Sequence, residues 1–173
     1  MLWDSNRVNS VKPSAIRRMQ ELSAGMENVV HLEQGEPDFT TPKHILEAAV
    51  EAVKKGFTHY TDVNGTLELR EAIAEKFRKE NGIDADPQTE VTVTSGSQEA
   101  MFIAAFGFLN RGDEALILDP YYPAYFEDAL LAEAVPVTVP LREEKDYGIE
   151  MEALERKITK RTKMIWMCNP SNP

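Results

Sequence analysis

The sequence predicts an α/β protein: a mostly parallel sheet in three layers, with helices on both faces. Three observations carry that prediction. The chain has 173 residues, enough for one ordinary domain with a real core but crowded for two. Its composition, 42% apolar and 28% charged, is that of a globular chain and not a disordered tail. From residue 90 to 168, short apolar runs alternate with helical patterns, as consecutive βαβ units do.

The elements follow in order. The arm over about residues 1–12 is polar and has no periodic pattern. Pro13 to Ala24 reads as a helix, with Pro13 in its first turn, Ile16, Met19 and Leu22 at spacing three, and Gly25 as a cap. Val29–Leu32 is a short strand candidate leading into the loop Gln34-Gly-Glu-Pro-Asp-Phe. Thr41-Pro42 opens a helix whose apolar face is Ile45, Leu46, Ala49 and Val53, closed by Gly56. Gly65 or Thr66 starts another, carrying Leu67, Ile73, Ala74 and Phe77 until Asn81-Gly82. Then the period changes: strands are expected at Glu90–Thr94, Glu114–Leu118, Pro136–Val139 and Lys163–Cys168. Helices are expected between them, from Gln98 to Leu109, from Pro123 to about Glu133, and from Met151 to Ile158. A parallel sheet needs its last strand covered, and Asn169-Pro-Ser-Asn-Pro173 is loop sequence with no helix after it. The chain is therefore expected to be cut short.

Charge and cysteine content narrow the function classes. With 29 acidic and 19 basic residues, the net charge of −10 opposes nucleic-acid binding, since most of the surface repels phosphate backbones. A helix N-terminus can still hold a small anion against that average field. One cysteine, Cys168, allows neither an intrachain disulfide nor a cysteine-based metal cluster, and on an apolar strand it reads as core. No apolar window has the ~18 residues of a membrane span, and Met1-Leu-Trp-Asp-Ser-Asn-Arg lacks the apolar stretch of a signal peptide. A cytoplasmic protein without membrane or nucleic-acid partners is expected. No metal site is expected either: His44 and Glu47 stand three apart on a helix without a third ligand, which reads as a surface pair.

Two stretches can carry chemistry. In Val93-Thr-Ser-Gly-Ser-Gln-Glu-Ala100 a strand ends, a small-residue turn follows, and a helix begins. Free N–H groups, a positive dipole end, close approach at Gly96 and the Ser97 hydroxyl suit a phosphate; a plain helix cap accounts for the same residues. It is neither a Walker loop nor a dinucleotide fingerprint. Asp119-Pro-Tyr-Tyr-Pro-Ala-Tyr125 brings tyrosines to the carboxyl edge of the sheet, where α/β ligands bind, to stack on a flat ring or simply to close the core. Asn169-Pro-Ser-Asn172-Pro offers amides at the same edge, and the proline bonds of both loops are candidates for cis geometry.

Together these stretches resemble the N-terminal portion of a class I/II, fold-type I pyridoxal-phosphate-dependent aminotransferase. The resemblance runs through Leu32-Glu-Gln-Gly-Glu-Pro-Asp-Phe-Thr-Thr-Pro42 and Tyr60-Thr-Asp-Val-Asn-Gly-Thr-Leu-Glu-Leu-Arg-Glu-Ala-Ile73. It continues in Thr94-Ser-Gly-Ser-Gln-Glu-Ala100, Asp119–Tyr125 and Asn169–Pro173. It implies a small-domain segment over residues 1–40 and the first part of the cofactor-binding large domain over 41–173, incomplete. It implies that Gly35 lies near the substrate carboxylate and that Gly96, Ser97 and Gln98 hold the cofactor phosphate. Tyr122 would stack on the pyridine ring, with Tyr125 behind it. Asn172 would bond the phenolic oxygen near the substrate carboxylate, and Tyr60 would reach the phosphate of a partner subunit in a homodimer. The reaction implied moves an amino group from an amino acid to a 2-oxo acid.

The family's Schiff-base lysine, its ring-nitrogen aspartate and its carboxylate-binding arginine are expected beyond Pro173. None of the chain's own lysines substitutes: Lys43, Lys54, Lys55, Lys76 and Lys79 lie on polar helix faces, Lys145, Lys157, Lys160 and Lys163 in charged stretches, and Lys12 in the arm. No catalytic residue is therefore assigned. Two alternatives stay open at this point. One is a pyridoxal-phosphate-dependent lyase or an enzyme like 1-aminocyclopropane-1-carboxylate synthase; the other is a non-catalytic fragment.

Overall fold

The alternation expected from residue 90 begins in the structure one strand later. The computed structural model describes residues 4–11, 14–33 and 35–172. Its helices are α1 (Asn6–Ser10), α2 (Ala15–Ser23), α3 (Lys43–Lys54), α4 (Leu67–Asn81), α5 (Gly96–Phe108), α6 (Pro123–Leu131) and α7 (Met151–Glu155); Glu143–Lys145 forms a 3-10 turn. The strands among the described residues are β1 (Glu114–Asp119), β2 (Val135–Pro140) and β3 (Thr162–Trp166). Glu90–Thr94 is not a strand: Glu90 is a bend whose N–H returns to the Asp86 carbonyl at 2.8 Å, and the Val93 N–H donates to the Asn64 carbonyl at 2.9 Å. Val29–Leu32 is not a strand either; Val30 and Leu32 are exposed, and no strand pairs with this run among the described residues. The Pro13 helix start lies outside the described residues, and Gly25 does not take the left-handed cap conformation.

The chain divides into two compact units: Met1–Leu22 with Ser95–Pro173, and Ser23–Thr94. The first holds the sheet, ordered β2-β1-β3 with both pairs parallel. Leu116 faces Val137 on one side and Ile165 on the other. Central β1 is apolar along Ala115–Leu118 because both of its faces are covered. Its odd–even alternation separates two clusters. Ala115 packs with Ala105 and Leu109, from α5 and its end, with Ala129 of α6 and with Ala134. Leu116 and Leu118 pack with Val139 and with Leu154 of α7. Strand order reverses at β1, and right-handed crossovers then put α6 and α7 on opposite faces.

One buried acid closes the amino end of this sheet. Glu114 accepts hydrogen bonds from Thr159 Oγ1 at 2.6 Å, from Arg161 Nε at 2.9 Å and from Thr162 Oγ1 at 3.3 Å. The Thr159 hydroxyl first, and then the Arg161 guanidinium, hold its carboxyl below the ordinary 4.5. A lowered carboxylate contributes stability that is present above the unfolded value and is lost as pH falls through the folded one. Glu114→Gln is therefore expected to flatten the acid limb: its urea midpoint falls less than the wild-type midpoint does as pH drops below 4.5.

In the second unit α3 ends as a Schellman motif, with Phe57 N–H on the Ala52 carbonyl and Gly56 N–H on that of Val53. The apolar stripe of α3 reads from the sequence as expected, but Ile45, Leu46, Val50 and Val53 are each about half exposed among the described residues. Helix α4 is anchored by Arg70, which is buried on the same stripe as Leu67, Ile73 and Ala74.

Candidate functional site

The β2-β1-β3 order puts a topological switch between β1 and β3, and ligands of open α/β sheets bind at the carboxyl ends beside such a switch. Both tyrosine- and asparagine-bearing loops leave from there. After β1 the Asp119–Pro120 bond is cis, and Tyr122 is the extended residue before α6, with Pro123 at the first helical position. After β3 the Asn169–Pro170 bond is also cis, and Asn172 is exposed on the departing loop; Pro173 lies outside the described residues.

Aromatic rings line this edge in series. Tyr122 meets Tyr125 edge-on, with centroids 5.9 Å apart and planes at 75°. Tyr125 stacks on Trp166 of β3 at 5.3 Å and 3°. Burial first, then the neighbouring Cys168 and Tyr122, push the Tyr125 hydroxyl up to about 12, so it keeps its proton throughout the neutral range. A cavity of about 590 Å³ opens beside these rings, lined by Tyr121, Tyr125, Tyr147, Trp166, Cys168 and Asn169. Tyr122 and Asn172 do not line it, and neither do Gly96, Ser97 or Gln98.

The start of α5 supplies the second half of the site. Gly96 has φ +78°, a conformation that costs a side chain ~1–2 kcal/mol and that glycine enters freely. Open space surrounds a Cβ built there, so the requirement at Gly96 is conformational. Ser97 and Gln98 follow in the first turn of a 13-residue helix, whose leading N–H groups have no intrahelical acceptor. The Ser95 side chain does not cap them; the Ser95 N–H is instead taken by the Glu99 carboxylate. The Tyr122 hydroxyl donates a long hydrogen bond to Gln98 Oε1 at 3.4 Å. The Tyr122 hydroxyl thus reaches the first turn of α5 through the Gln98 side chain.

Gly35 and Tyr60 belong to the other unit. Gly35 is exposed and outside regular structure, and Gln34 lies outside the described residues. Tyr60 is fully exposed on the loop between α3 and α4, with no hydrogen bond to its hydroxyl among the described residues.

Sequence reasoning missed three groups that matter locally. Arg70 is buried in an apolar stripe, Asp128 is buried on α6 beside Ala124, Tyr125 and Ala129, and Trp166 forms the far wall of the aromatic series. For the first two the signal was present: a charged residue at an apolar helical position.

The sequence model of the family described as aminotransferase class I and II matches residues 27–173. The chain belongs to that family. It is 43% identical over 169 residues to the aromatic-amino-acid aminotransferase 2 of Thermococcus litoralis. It is 46% identical over 169 residues to an aspartate aminotransferase of Pyrococcus horikoshii. Each alignment covers 98% of this chain and 43% of the relative, so the chain spans less than half the length of the curated relatives it matches. The solved aspartate aminotransferase of Thermus thermophilus with maleate superposes at a TM-score of 0.93 and 40% identity, over 100% of this chain and 46% of that one. These relatives are all named as aminotransferases. The parallel sheet with flanking helices is part of this family's fold, of which the chain covers under half in the Thermus structure. No helix of the described residues is long and apolar enough to cross a membrane.

Proposed function

We propose that this chain carries the phosphate- and ring-binding part of an aminotransferase site that moves an amino group from an amino acid to a 2-oxo acid. The observation that carries the reading is the hydrogen bond from the Tyr122 hydroxyl to Gln98 in the first turn of α5. The donor set fits the cofactor of the family, pyridoxal 5'-phosphate, which has a phosphate dianion at one end and a flat pyridine at the other. When bound, it supplies an electron-withdrawing ring able to delocalise the charge left by the departing α-proton. Backbone N–H groups at Gly96, Ser97 and Gln98, with the Ser97 hydroxyl, would hold the phosphate. Tyr122 would lie against the ring and fix its plane. Asn172 would donate its amide to the ring oxygen and stand near the substrate carboxylate, with Gly35 in the substrate loop. Tyr60, exposed and unbonded by its hydroxyl among the described residues, is suited to reach the phosphate of a second subunit in a homodimer. A single cysteine suits a reducing compartment, and we place the enzyme in cytoplasmic amino acid metabolism.

Quenching of the chain's intrinsic fluorescence by pyridoxal phosphate and by pyridoxal tests this reading. Tighter binding of the phosphorylated form, reversed by inorganic phosphate, is expected. Tyr122→Leu should weaken both ligands about fivefold, the worth of one aromatic stack. Equal affinity for the two ligands in the unmodified chain overturns the assignment.

A further inference from the structure

We propose that Arg70 is a positioning residue for Tyr60: its buried guanidinium sets the loop from which the Tyr60 hydroxyl is presented to a cofactor phosphate. The proposal rests on the pyridoxal phosphate reading above. Arg70 is 7% exposed, and a buried guanidinium must place its five N–H donors or lose their solvation uncompensated. It places them on backbone carbonyls of two separate segments. Nε donates to the Gly65 carbonyl at 3.0 Å, and Nη1 to those of Pro87 and Gln88 at 2.9 and 3.1 Å. Nη2 stands 4.0 Å from the Asp62 carboxylate. An apolar residue would fill this helix position without desolvating a charge; what arginine adds is a rigid fork joining the segments.

The loop it grips is the one that follows Tyr60. Asp62 Oδ1 accepts the Asn64 N–H at 2.8 Å, and the Asp62 carbonyl accepts the Gly65 N–H at 2.9 Å. The Asn64 carbonyl receives the Val93 N–H at 2.9 Å, and its side-chain oxygen the Thr92 hydroxyl at 3.3 Å. Residues 62–65 are thus tied to the extended run Val91–Thr94, which leads in the chain directly into the Ser95–Gln98 turn. Tyr60, two residues before Asp62, is left exposed at the edge of this frame. Its direction is set by the frame, and Arg70 is the group that spans it.

The test measures binding of pyridoxal phosphate and of pyridoxal, with amide hydrogen exchange, in the 173-residue chain and in Arg70→Lys, Asp62→Ala, Tyr60→Phe and Arg70→Lys/Tyr60→Phe. Arg70→Lys keeps the charge and loses the fork. It should weaken pyridoxal phosphate about tenfold, the scale of a lost charge-assisted hydrogen bond, and leave pyridoxal within about twofold. The double variant should bind no worse than the weaker single one. Amide exchange should rise at Gly65 and Val93 and stay unchanged in β1. Asp62→Ala, at an exposed side chain, should repeat the pattern in smaller measure and carries the test if Arg70→Lys does not fold. Equal losses for both ligands, additive effects of Arg70→Lys and Tyr60→Phe, or unchanged exchange at Gly65 and Val93 would overturn the proposal. If the unmodified chain does not prefer pyridoxal phosphate to pyridoxal, the cofactor reading falls and takes this role with it. If it does prefer it and Tyr60→Phe changes nothing, the positioning proposal alone falls.

Discussion

Gly65→Ala is expected to destabilise the Ser23–Thr94 unit by about 3 kcal/mol, from overpacking and from a left-handed backbone together. Gly65 has φ +93°, and a Cβ there would stand 2.6 Å from Val93 Cγ2 and 2.7 Å from Val93 Cβ. Neither atom can step aside cheaply: Val93 is β-branched and stiff at χ1, and its Cβ moves only with the backbone. That backbone is itself held by the Asn64 carbonyl. Gly82→Ala separates the two contributions, since Gly82 has φ +67° and nothing within 4 Å of its Cβ position. It should cost about 1 kcal/mol, the backbone part alone. Val93→Ala placed on Gly65→Ala should recover only part of the loss, because the 2.7 Å contact survives. Urea unfolding followed by circular dichroism reads all three. A Gly65→Ala cost no larger than that of Gly82→Ala would refute the clash.

Asp128→Asn is expected to stabilise the sheet-bearing unit above neutral pH by about 2 kcal/mol, and to do nothing well below pH 3.8. Asp128 is 3% exposed on α6, and its Oδ2 has no hydrogen-bond partner among the described residues. Burial, and secondarily the charge of Glu127, push its carboxyl from 3.8 up to about 6. The folded state therefore binds the proton more tightly than the unfolded one. Below 3.8 both states are protonated and the group costs nothing extra. Stability then declines as pH rises through the interval to about 6, and the full penalty stands beyond it. Asparagine cannot ionise, so the variant escapes that decline. Urea midpoints at about pH 2.5 and pH 7.5 decide the matter: equal gains at both values would mean that packing, not charge, was relieved. This trend opposes that of Glu114, whose carboxylate is stabilised by its partners and whose contribution disappears in acid.

Local signals in the sequence account for most elements, and distant pairings account for what they leave out. The apolar periodicity and terminal glycines of α3 and α4 lie within one or two turns of each other, and both helices form where expected. Central β1 is legible because an all-apolar run has few other uses at that length. At Val91-Thr-Val-Thr94 the alternation reads as a strand, but alternation does not say which backbone takes the hydrogen bonds; Val91 is buried. The Val93 N–H goes to a loop carbonyl 29 residues earlier, a partner that no local pattern names. Helix α1 is only five residues long, too short to show a period, and is recognisable only by the Ser5 hydroxyl accepting the Val8 N–H. In the site, the Ser95–Gln98 turn and the Asp119–Tyr125 loop each read as ligand-edge sequence. Their meeting joins residues 24 apart, and no local rule pairs Gln98 with Tyr122. Arg70 shows the same limit: its carbonyl partners lie 17 and 18 residues away.

The two faces of β1 are built from different stock, and they fail in opposite directions. Toward α5 and α6 the contacts are largely alanines: Ala105, Ala115, Ala129 and Ala134. Toward α7 they are Leu116, Leu118, Val139 and Leu154. At the alanines of the first face little can be removed, so damage at those positions comes from growth, where each added methylene pushes a helix off the sheet. On the second face little can be added, so damage comes from shrinkage and the voids it leaves. A random substitution in this strand is thus tolerated by size class: small-for-small at Ala115, branched-for-branched at its neighbour Leu116. Adjacent residues of one strand would show inverse tolerance profiles in a saturation scan.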